Sequence, residues 1–558
     1  MCGIFCLISL QNNPEILLQK FKLFEKSLLR RGPNSVKTAF HKLKDSSVLI
    51  AASVLWLQGA DMTIQPLEDD KSVLIYNGDI FGGTLITEEL RQNVGDTKLF
   101  FEALTKSENV FHVLRDIQGP YAFVYINILD NKIYFGRDSY GRRSLLIGKN
   151  ANEIIVTSVA MRHTEFEFIE LPCIGIFSID LKTGKWQVLP WKRKNKNFNE
   201  KLQEIELFVE QKILIEQFQF EQLKSFGVPN KSQLQILEEI VLLPPDDVFC
   251  KLTNSSYIDN VLHLKTLLEN SVRKRILSQP QFCQDCFKQY TCDHAVTGVL
   301  FSGGVDCAVL ALLTDKFVEK TRPIDLINVA FEKEGSYNTP DRLTGLSTLS
   351  ELQILCPERI WNFVEVNVTR QELDSCRAER ISDLIYPLKS ILDDSLGCAL
   401  WFASRASTAT YRSPCRASED TLLVGMGADE LFGGYTKHRA AFQKRGWQGL
   451  HEILEEDWQN LPHRNLARDD RVVSDHGRQL RTPYLDEEVV DFIQSLNCWD
   501  KTFPSNELPQ GIGEKFLLRT LANYLGLKNA ARFKKRALQF GSRIANPKEN
   551  AHETSLRL

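Results

Sequence analysis

The run Val299-Leu300-Phe301-Ser302-Gly303-Gly304-Val305-Asp306-Cys307 constrains this chain more than any other segment. An apolar stretch, Ala295–Phe301, is too short for a stable helix and reads as a buried strand. It runs into two adjacent glycines, and helix-forming residues resume from Asp306. A strand that turns tightly into a helix is the repeating unit of a parallel sheet. The surroundings agree with this reading. A helix is expected over Tyr257–Leu277, and strands over Ile324–Phe331, Ile360–Val368 and Thr421–Gly425. A helix near 342–355 and a further helical stretch before Thr421 separate these strands. The region from 257 to 545 is therefore expected to be an α/β domain. Its glycine turn has a chemical meaning as well. Successive backbone N–H groups in such a turn form a nest for anions, and the helix N-terminus adds a favourable dipole. Glycine lets a phosphate approach the backbone closely. The turn lacks Gly-Lys-Ser, so it is not the Walker type.

Residues 1–185 follow a different pattern. Short apolar runs at Val48–Leu57, Val73–Tyr76, Tyr121–Leu129, Lys132–Phe135 and Glu153–Thr157 are punctuated by Gly, Asn and Asp. This predicts many short strands in a layered α+β domain of antiparallel sheets with helices. Asn12 to Arg30 carries Ile16, Leu17, Phe21, Phe24 and Leu28 at helical spacing. Between the two regions, 186–256 reads as a linker with helical content. Its basic run Trp191-Lys192-Arg193-Lys194-Asn195-Lys196 is read as a solvated connector, and 546–558 as a tail.

Composition excludes several classes of function. The formal net charge is -3, so no basic field argues for a nucleic-acid partner. No apolar run approaches the roughly 20 residues needed to span a membrane. The start, Met1-Cys2-Gly3-Ile4-Phe5-Cys6, has no basic residues before its apolar run and does not read as a signal peptide. Thirteen scattered cysteines fit reduced thiols and a cytoplasmic location. Cys283, Cys286, Cys292 and His294 imitate a zinc set, but the second pair has the wrong ligand spacing, and free thiols are the plainer reading. The segment 403–420, rich in Ser, Thr, Arg and Cys, gives no clear element.

Cys2 becomes the first residue if Met1 is removed. A terminal cysteine carries nucleophile and base together, since its α-amine, with an ordinary pKa of about 7.7–8.0, can accept the thiol proton. Alone, Cys2 could equally be a small buried residue, and Asn77-Gly78 a hairpin turn. Taken with Arg30-Arg31-Gly32-Pro33, Asn77-Gly78-Asp79-Ile80 and Gly136-Arg137-Asp138, the N-terminal region resembles the N-terminal-nucleophile, class II glutamine amidotransferases. The resemblance implies a catalytic Cys2, with the Asn77 side chain and the Gly78 N–H stabilising the oxyanion. It also implies glutamine binding by Asp79 and by Asp96, which would hold the substrate's amino group. The family arginine that holds the substrate carboxylate falls at Val54, leaving Arg30 or Arg31 as substitutes; Arg31 is the residue expected in that role.

The second region resembles the ATP-pyrophosphatase domain of asparagine synthetases. The match lies in Ser302-Gly303-Gly304-Val305-Asp306, in Gly425-Met426-Gly427-Ala428-Asp429-Glu430-Leu431-Phe432-Gly433-Gly434-Tyr435, and in Arg481-Thr482-Pro483-Tyr484-Leu485-Asp486. It implies that Phe301, Ser302, Gly303, Gly304, Asp306, Ala330, Val424, Gly425 and Asp429 contact ATP. Asp306 and Asp429 would ligate Mg²⁺, and Asp341 would lie near the phosphates. From the basic run at 532–536, Lys535 is expected to be catalytic, with Lys534 and Arg536 as alternates. Met426 replaces the family glutamate, and a thioether cannot act as a base. The implied reaction converts ATP, aspartate and glutamine into asparagine, AMP, pyrophosphate and glutamate. The alternative is a relative with weakened or lost catalysis that binds ATP as a regulatory or interaction protein. Partners are expected to be these small molecules, with no nucleic acid and no membrane.

Overall fold

Alternation along the first strand sets the architecture of the N-terminal region. Within Gly3–Ser9, Ile4, Cys6 and Ile8 face one core while Phe5 and Leu7 face another. A strand buried on both faces needs a layer on each side. The computed structural model describes all residues except 1, 11–12, 44–45, 60, 84–93, 108, 193–195, 217–226, 280–293, 407–419 and 547. It supplies both layers.

The first sheet has six strands, in the spatial order Glu167–Glu170, Leu146–Lys149, Glu153–Thr157, Gly3–Ser9, Ser46–Val54 and Ser35–Leu43. The second has seven, in the order Ile213–Ile215, Lys185–Pro190, Gly175–Asp180, Lys132–Arg137, Tyr121–Asn127, Ser72–Gly78 and Leu67–Glu68. Neighbours are antiparallel except Lys185–Pro190 with Ile213–Ile215. Ile4, Ile50, Ile75, Val124 and Phe135 meet between the sheets. The helix Pro14–Arg31 covers the outer face of the first sheet, with the Phe5 and Phe21 rings 5.2 Å apart. Asp96–Lys106 and Val110–Asp116 cover the outer face of the second. This is the expected α+β sandwich.

The second region is built on five parallel strands, ordered Trp361–Val368, Ile324–Phe331, Gly298–Leu300, Thr421–Leu423 and Gln479–Arg481. Apolar clusters cover both faces, as a parallel sheet requires. The order shows where a ligand belongs. The chain starts at the central strand, Gly298–Leu300, adds two strands on one side and then two on the other. The switch point lies between the carboxyl ends of Gly298–Leu300 and Thr421–Leu423, where open α/β sheets bind ligands. Both glycine-rich loops leave from those two ends.

The stretch expected to be a linker is divided between the two cores. Phe198, Leu202 and Ile205 join the core between the antiparallel sheets. Leu237, Ile240, Val248, Phe249 and Leu252 join that of the parallel sheet. Propensity hides this, because a helix that packs with one narrow stripe looks like a solvated one in sequence. Residues of the expected tail are docked as well. Glu553, Ala551 and Lys389 carbonyls accept from Ile391, Leu392 and Ser555 N–H groups at 2.8–3.0 Å, at the N-terminus of helix Ile391–Arg405. Arg557 pairs with the buried Asp394 at 2.9 Å. Cys283, Cys286 and Cys292 lie outside the described residues, as does 407–419 from the segment that gave no clear element. Among the described residues no helix is long and apolar enough to cross a membrane.

Buried charge pairs join the two regions. Asp470, on helix Ala467–Ser474 of the second, accepts from Arg31 at 2.9 Å, Arg143 at 3.4 Å and the Ser144 N–H at 3.3 Å, all from the first. Arg142 reaches the Leu485 carbonyl at 2.6 Å and Glu487 at 2.5 Å. Removing one partner strands the others in a dry interface. Asp470→Ala is expected to cost about 3–5 kcal/mol, read as a fall in denaturant midpoint, whereas substitution at the exposed Glu204 should change little.

Two candidate active sites joined by one segment

Cys2 stands at the start of the first strand, and Asn77-Gly78 at the end of Ser72–Gly78 in the facing sheet. The two strand ends bring these residues into one pocket, lined also by Val54, Trp56, Gln58, Thr63, Gln65, Tyr76, Asp79 and Asp96. Gln65 donates to the Cys2 sulfur at 3.7 Å and accepts from the Tyr76 N–H at 2.7 Å. The Asn77 amide is the telling group. It is 1% exposed, and both of its polar atoms lack a hydrogen-bond partner among the described residues. Leaving such a group unsatisfied is costly, and it faces the nucleophile's pocket, where an oxyanion would form. Gly78 permits the approach: a Cβ there would meet the Pro120 carbonyl at 2.5 Å and the Tyr76 hydroxyl at 2.7 Å. Burial raises the Cys2 thiol above its ordinary pKa, against the pull of the chain's amino terminus and a Leu55 backbone hydrogen bond.

The two acidic residues are differently held. Asp79 pairs with Arg143 at 2.9 Å and with Arg481 at 3.3 Å, and accepts from the Gln58 amide at 2.8 Å. Burial alone would raise its pKa, but Arg481 and Arg143 hold it below the ordinary carboxylate value. Asp96 accepts from the Ile80 N–H at 3.1 Å and has no such cation among the described residues. Burial first, then the Asp79 charge, push it up to about 7. Arg31 does not line this pocket. It sits behind Cys2, donating to the Cys2 carbonyl at 3.5 Å and pairing with Asp470. Arg30 pairs with Asp475 at 3.2 Å. Arg137 of Gly136-Arg137-Asp138 is a buried bracket for the carbonyls of Arg143, Gly141 and Leu171.

The second site surrounds the switch point, in a cavity of about 720 Å³. Gly303 has φ 79°, and a Cβ there would strike the Thr344 and Gly345 backbone at 2.5 Å, so only glycine fits this turn. Phe301, Ser302, Asp306, Val424, Gly425, Asp429, Asp341 and Lys535 line the cavity. Gly303 and Gly304 shape the turn. Ala330, buried near the end of its strand, is not among the lining residues. Asp306 opens helix Val305–Thr314, and Asp429 opens helix Ala428–Phe432. Lys515 bridges them, 2.5 Å from Asp306 and 2.6 Å from Asp429. Asp306 Oδ1 is buried without a hydrogen-bond partner among the described residues. Two converging hard-oxygen carboxylates with unspent acceptor capacity fit a Mg²⁺ ion that draws its other ligands from water and phosphate.

Of the basic residues at 534–536, Lys535 is the one drawn into the cavity, 2.6 Å from Asp429, while Lys534 and Arg536 are exposed. Burial disfavours its charge, but Asp429 and Asp306 raise its pKa, so it remains a cation. Burial would likewise raise Asp429, yet Lys515 and Lys535 hold it well below its ordinary value. Asp341 is pushed up to about 7 by burial. Met426 lines the cavity from the turn that precedes helix Ala428–Phe432, which carries Glu430. Glu430 is 6% exposed, accepts from the Tyr435 hydroxyl at 2.7 Å, and is raised to about 7 by burial and then by Asp429.

A single segment touches both sites. Arg481 reaches Asp79 and Gln479 lines the first pocket, whereas the Tyr484 hydroxyl bonds the Asp306 carbonyl at 2.9 Å. Asp486 then anchors the segment to Arg275 at 2.8 Å. The sequence shows this motif but not its reach. Arg143, Lys515 and Glu430 carry no sequence signal for the roles that packing gives them. Lys515→Met would leave Asp306 without its cation and Asp429 with Lys535 alone. Its expected cost is about 3–5 kcal/mol, and millimolar Mg²⁺, which can neutralise the same carboxylates, should restore part of the lost thermal midpoint.

Known proteins share these two domains in sequence. Residues 1–165 match the family model of the glutamine amidotransferase domain, and residues 283–448 and 442–546 that of asparagine synthase. The chain is 36% identical to an asparagine synthetase domain-containing protein of Drosophila melanogaster, covering 100% of both chains. It is 35% identical to asparagine synthetase domain-containing protein 1 of Homo sapiens, over 98% of this chain and 95% of that one. Identity to an asparagine synthetase domain-containing protein of Saccharomyces cerevisiae is 29%, over 94% of this chain and 89% of the other. The chain belongs to the family of asparagine synthetase domain-containing proteins, with a glutamine amidotransferase domain followed by an asparagine synthase domain.

Proposed function

We propose that this chain is an ATP-dependent amidoligase that takes its nitrogen from a glutamine side chain and delivers it to aspartate, giving asparagine, AMP and pyrophosphate. The observation that carries this reading is the buried Asn77 amide in the Cys2 pocket, unpaired among the described residues and joined through Arg481–Tyr484 to the Asp306–Asp429 pair at the switch point.

The chemistry follows from what each group can do. With Met1 removed, the Cys2 α-amine takes the thiol proton, and the sulfur attacks the γ-carboxamide carbon. Asn77 Nδ2 and the Gly78 N–H donate to the oxygen as charge develops there. The C–N bond breaks, ammonia leaves, and water cleaves the thioester. Asp96 in its ionised form pairs with the substrate's ammonium. In the second site the glycine-loop N–H groups receive the phosphates of ATP. Mg²⁺, when bound, would draw charge from the departing pyrophosphate. Lys535 offsets negative charge as the aspartate carboxylate is adenylated. Glu430, titrating near neutrality beside Met426, takes the proton that ammonia loses when it displaces AMP.

Three measurements test the proposal. Cys2→Ala is expected to abolish glutamine-driven amide formation and leave ammonium-driven AMP release intact, while Asp306→Ala abolishes AMP release with either nitrogen source. If well-folded wild-type chain releases neither ammonia nor AMP, the reading falls and an ATP-binding role without turnover replaces it. Glu430→Gln should slow ligation by about 10²–10⁴ and leave ammonia release unchanged. Because Asp96 binds an ammonium only when ionised, apparent affinity for the amide substrate should rise between pH 6 and 8, through its pKa of about 7. Asp96→Asn should flatten that profile.

A further inference from the structure

The charge layout of the first pocket bears on which amide enters it. Two carboxylates, Asp79 and Asp96, line the pocket. Among the described residues, no basic side chain does. Val54, where an arginine would hold a free α-carboxylate, is 4% exposed and is paired in the sheet with Ser35. Among the described residues, the nearby arginines are already committed: Arg31 to Asp470, and Arg143 and Arg481 to Asp79. An ammonium group entering this pocket gains a partner in Asp96. A carboxylate entering with it meets the apolar Val54 and, among the described lining residues, no basic side chain, and burying an anion without a cation or donors is strongly disfavoured. The half-buried lining residues Trp56, Gln58, Thr63 and Thr97 are all neutral. They suit an amide group better than an anion, and the indole offers a flat apolar surface to a peptide bond.

We infer that the amidotransferase pocket of this chain is built for a glutaminyl group whose α-carboxyl is already in amide linkage, such as the N-terminal glutamine of a peptide, rather than for free glutamine. The inference rests on Cys2 and Asn77 hydrolysing a γ-carboxamide. The reaction is then a hydrolysis in two steps. The Cys2 sulfur forms a bond to the carbonyl carbon of the γ-carboxamide and the C–N bond breaks, with the departing nitrogen taking the thiol's proton from the α-amine. Water then adds to the thioester, giving an N-terminal glutamate, free ammonia and the regenerated thiol. No oxidant, reductant or further co-reactant is consumed.

The test uses the full chain with Met1 removal confirmed by intact mass. Ammonia release is measured with free glutamine, glutamine α-amide and the dipeptide Gln-Gly. The amide and the dipeptide are expected to show kcat/KM values at least tenfold above that of free glutamine. Preference for free glutamine by tenfold or more, or equal rates for all three, overturns this inference while leaving the amidase reading intact. Ammonia from none of the three, in chain that still releases AMP, overturns both. Val54→Arg, accepted as folded if its ATP-dependent thermal shift is retained, should bring free glutamine up toward the dipeptide. A folded Val54→Arg that leaves the substrate order unchanged counts against the inference, and if that variant does not fold, the wild-type order decides alone.

Discussion

The structure depends on one buried chain of charges at the junction of its two regions. Asp79 follows Asn77 and Gly78 in the first pocket, and it is held by Arg143 from its own region and Arg481 from the other. Arg143 also faces Asp470, which in turn holds Arg31 behind Cys2. None of these groups is tolerable alone in a dry interface. Together they fix the register of one region against the other, so the geometry of the first pocket depends on a strand end of the second.

That dependence has a functional logic. A three-residue step along the chain leads from Arg481 on Asp79 to Tyr484 on the backbone of Asp306. The first contact bears on the pocket that would free ammonia, the second on the loop that would hold phosphate. Both belong to one short segment anchored by Arg275 and Asp486. A displacement of this segment would therefore disturb both pockets, whereas separate loops would let each site vary independently.

Much of this was legible in the chain. The Ile324–Phe331 strand and the helix beginning near 340 fall close to where apolar pattern puts them, because fully buried strands and long helices leave strong local signals. The glycine loop and its phosphate logic follow from Ser302 to Asp306. Elsewhere the pattern is silent. Helix Phe198–Val209 and strand Ile213–Ile215 read as connector, yet they complete the antiparallel sandwich. Arg31 sits in a motif that suggests substrate binding, but a carboxylate over four hundred positions away takes its guanidinium. Local sequence cannot register a partner at that distance.

The sequence by itself determined the two classes of domain, and it marked Cys2, Asn77-Gly78 and the Ser302–Asp306 turn as the candidate site residues, since each rests on residues adjacent in the chain. Only the tertiary structure decided how charge is distributed among them. It placed Lys515 between Asp306 and Asp429, selected Lys535 from three neighbouring cations, and gave Asp79 two counter-ions and Asp96 none among the described residues. The physical reason is that electrostatic roles depend on distance and burial in three dimensions, and neither can be read from residues that meet only after folding.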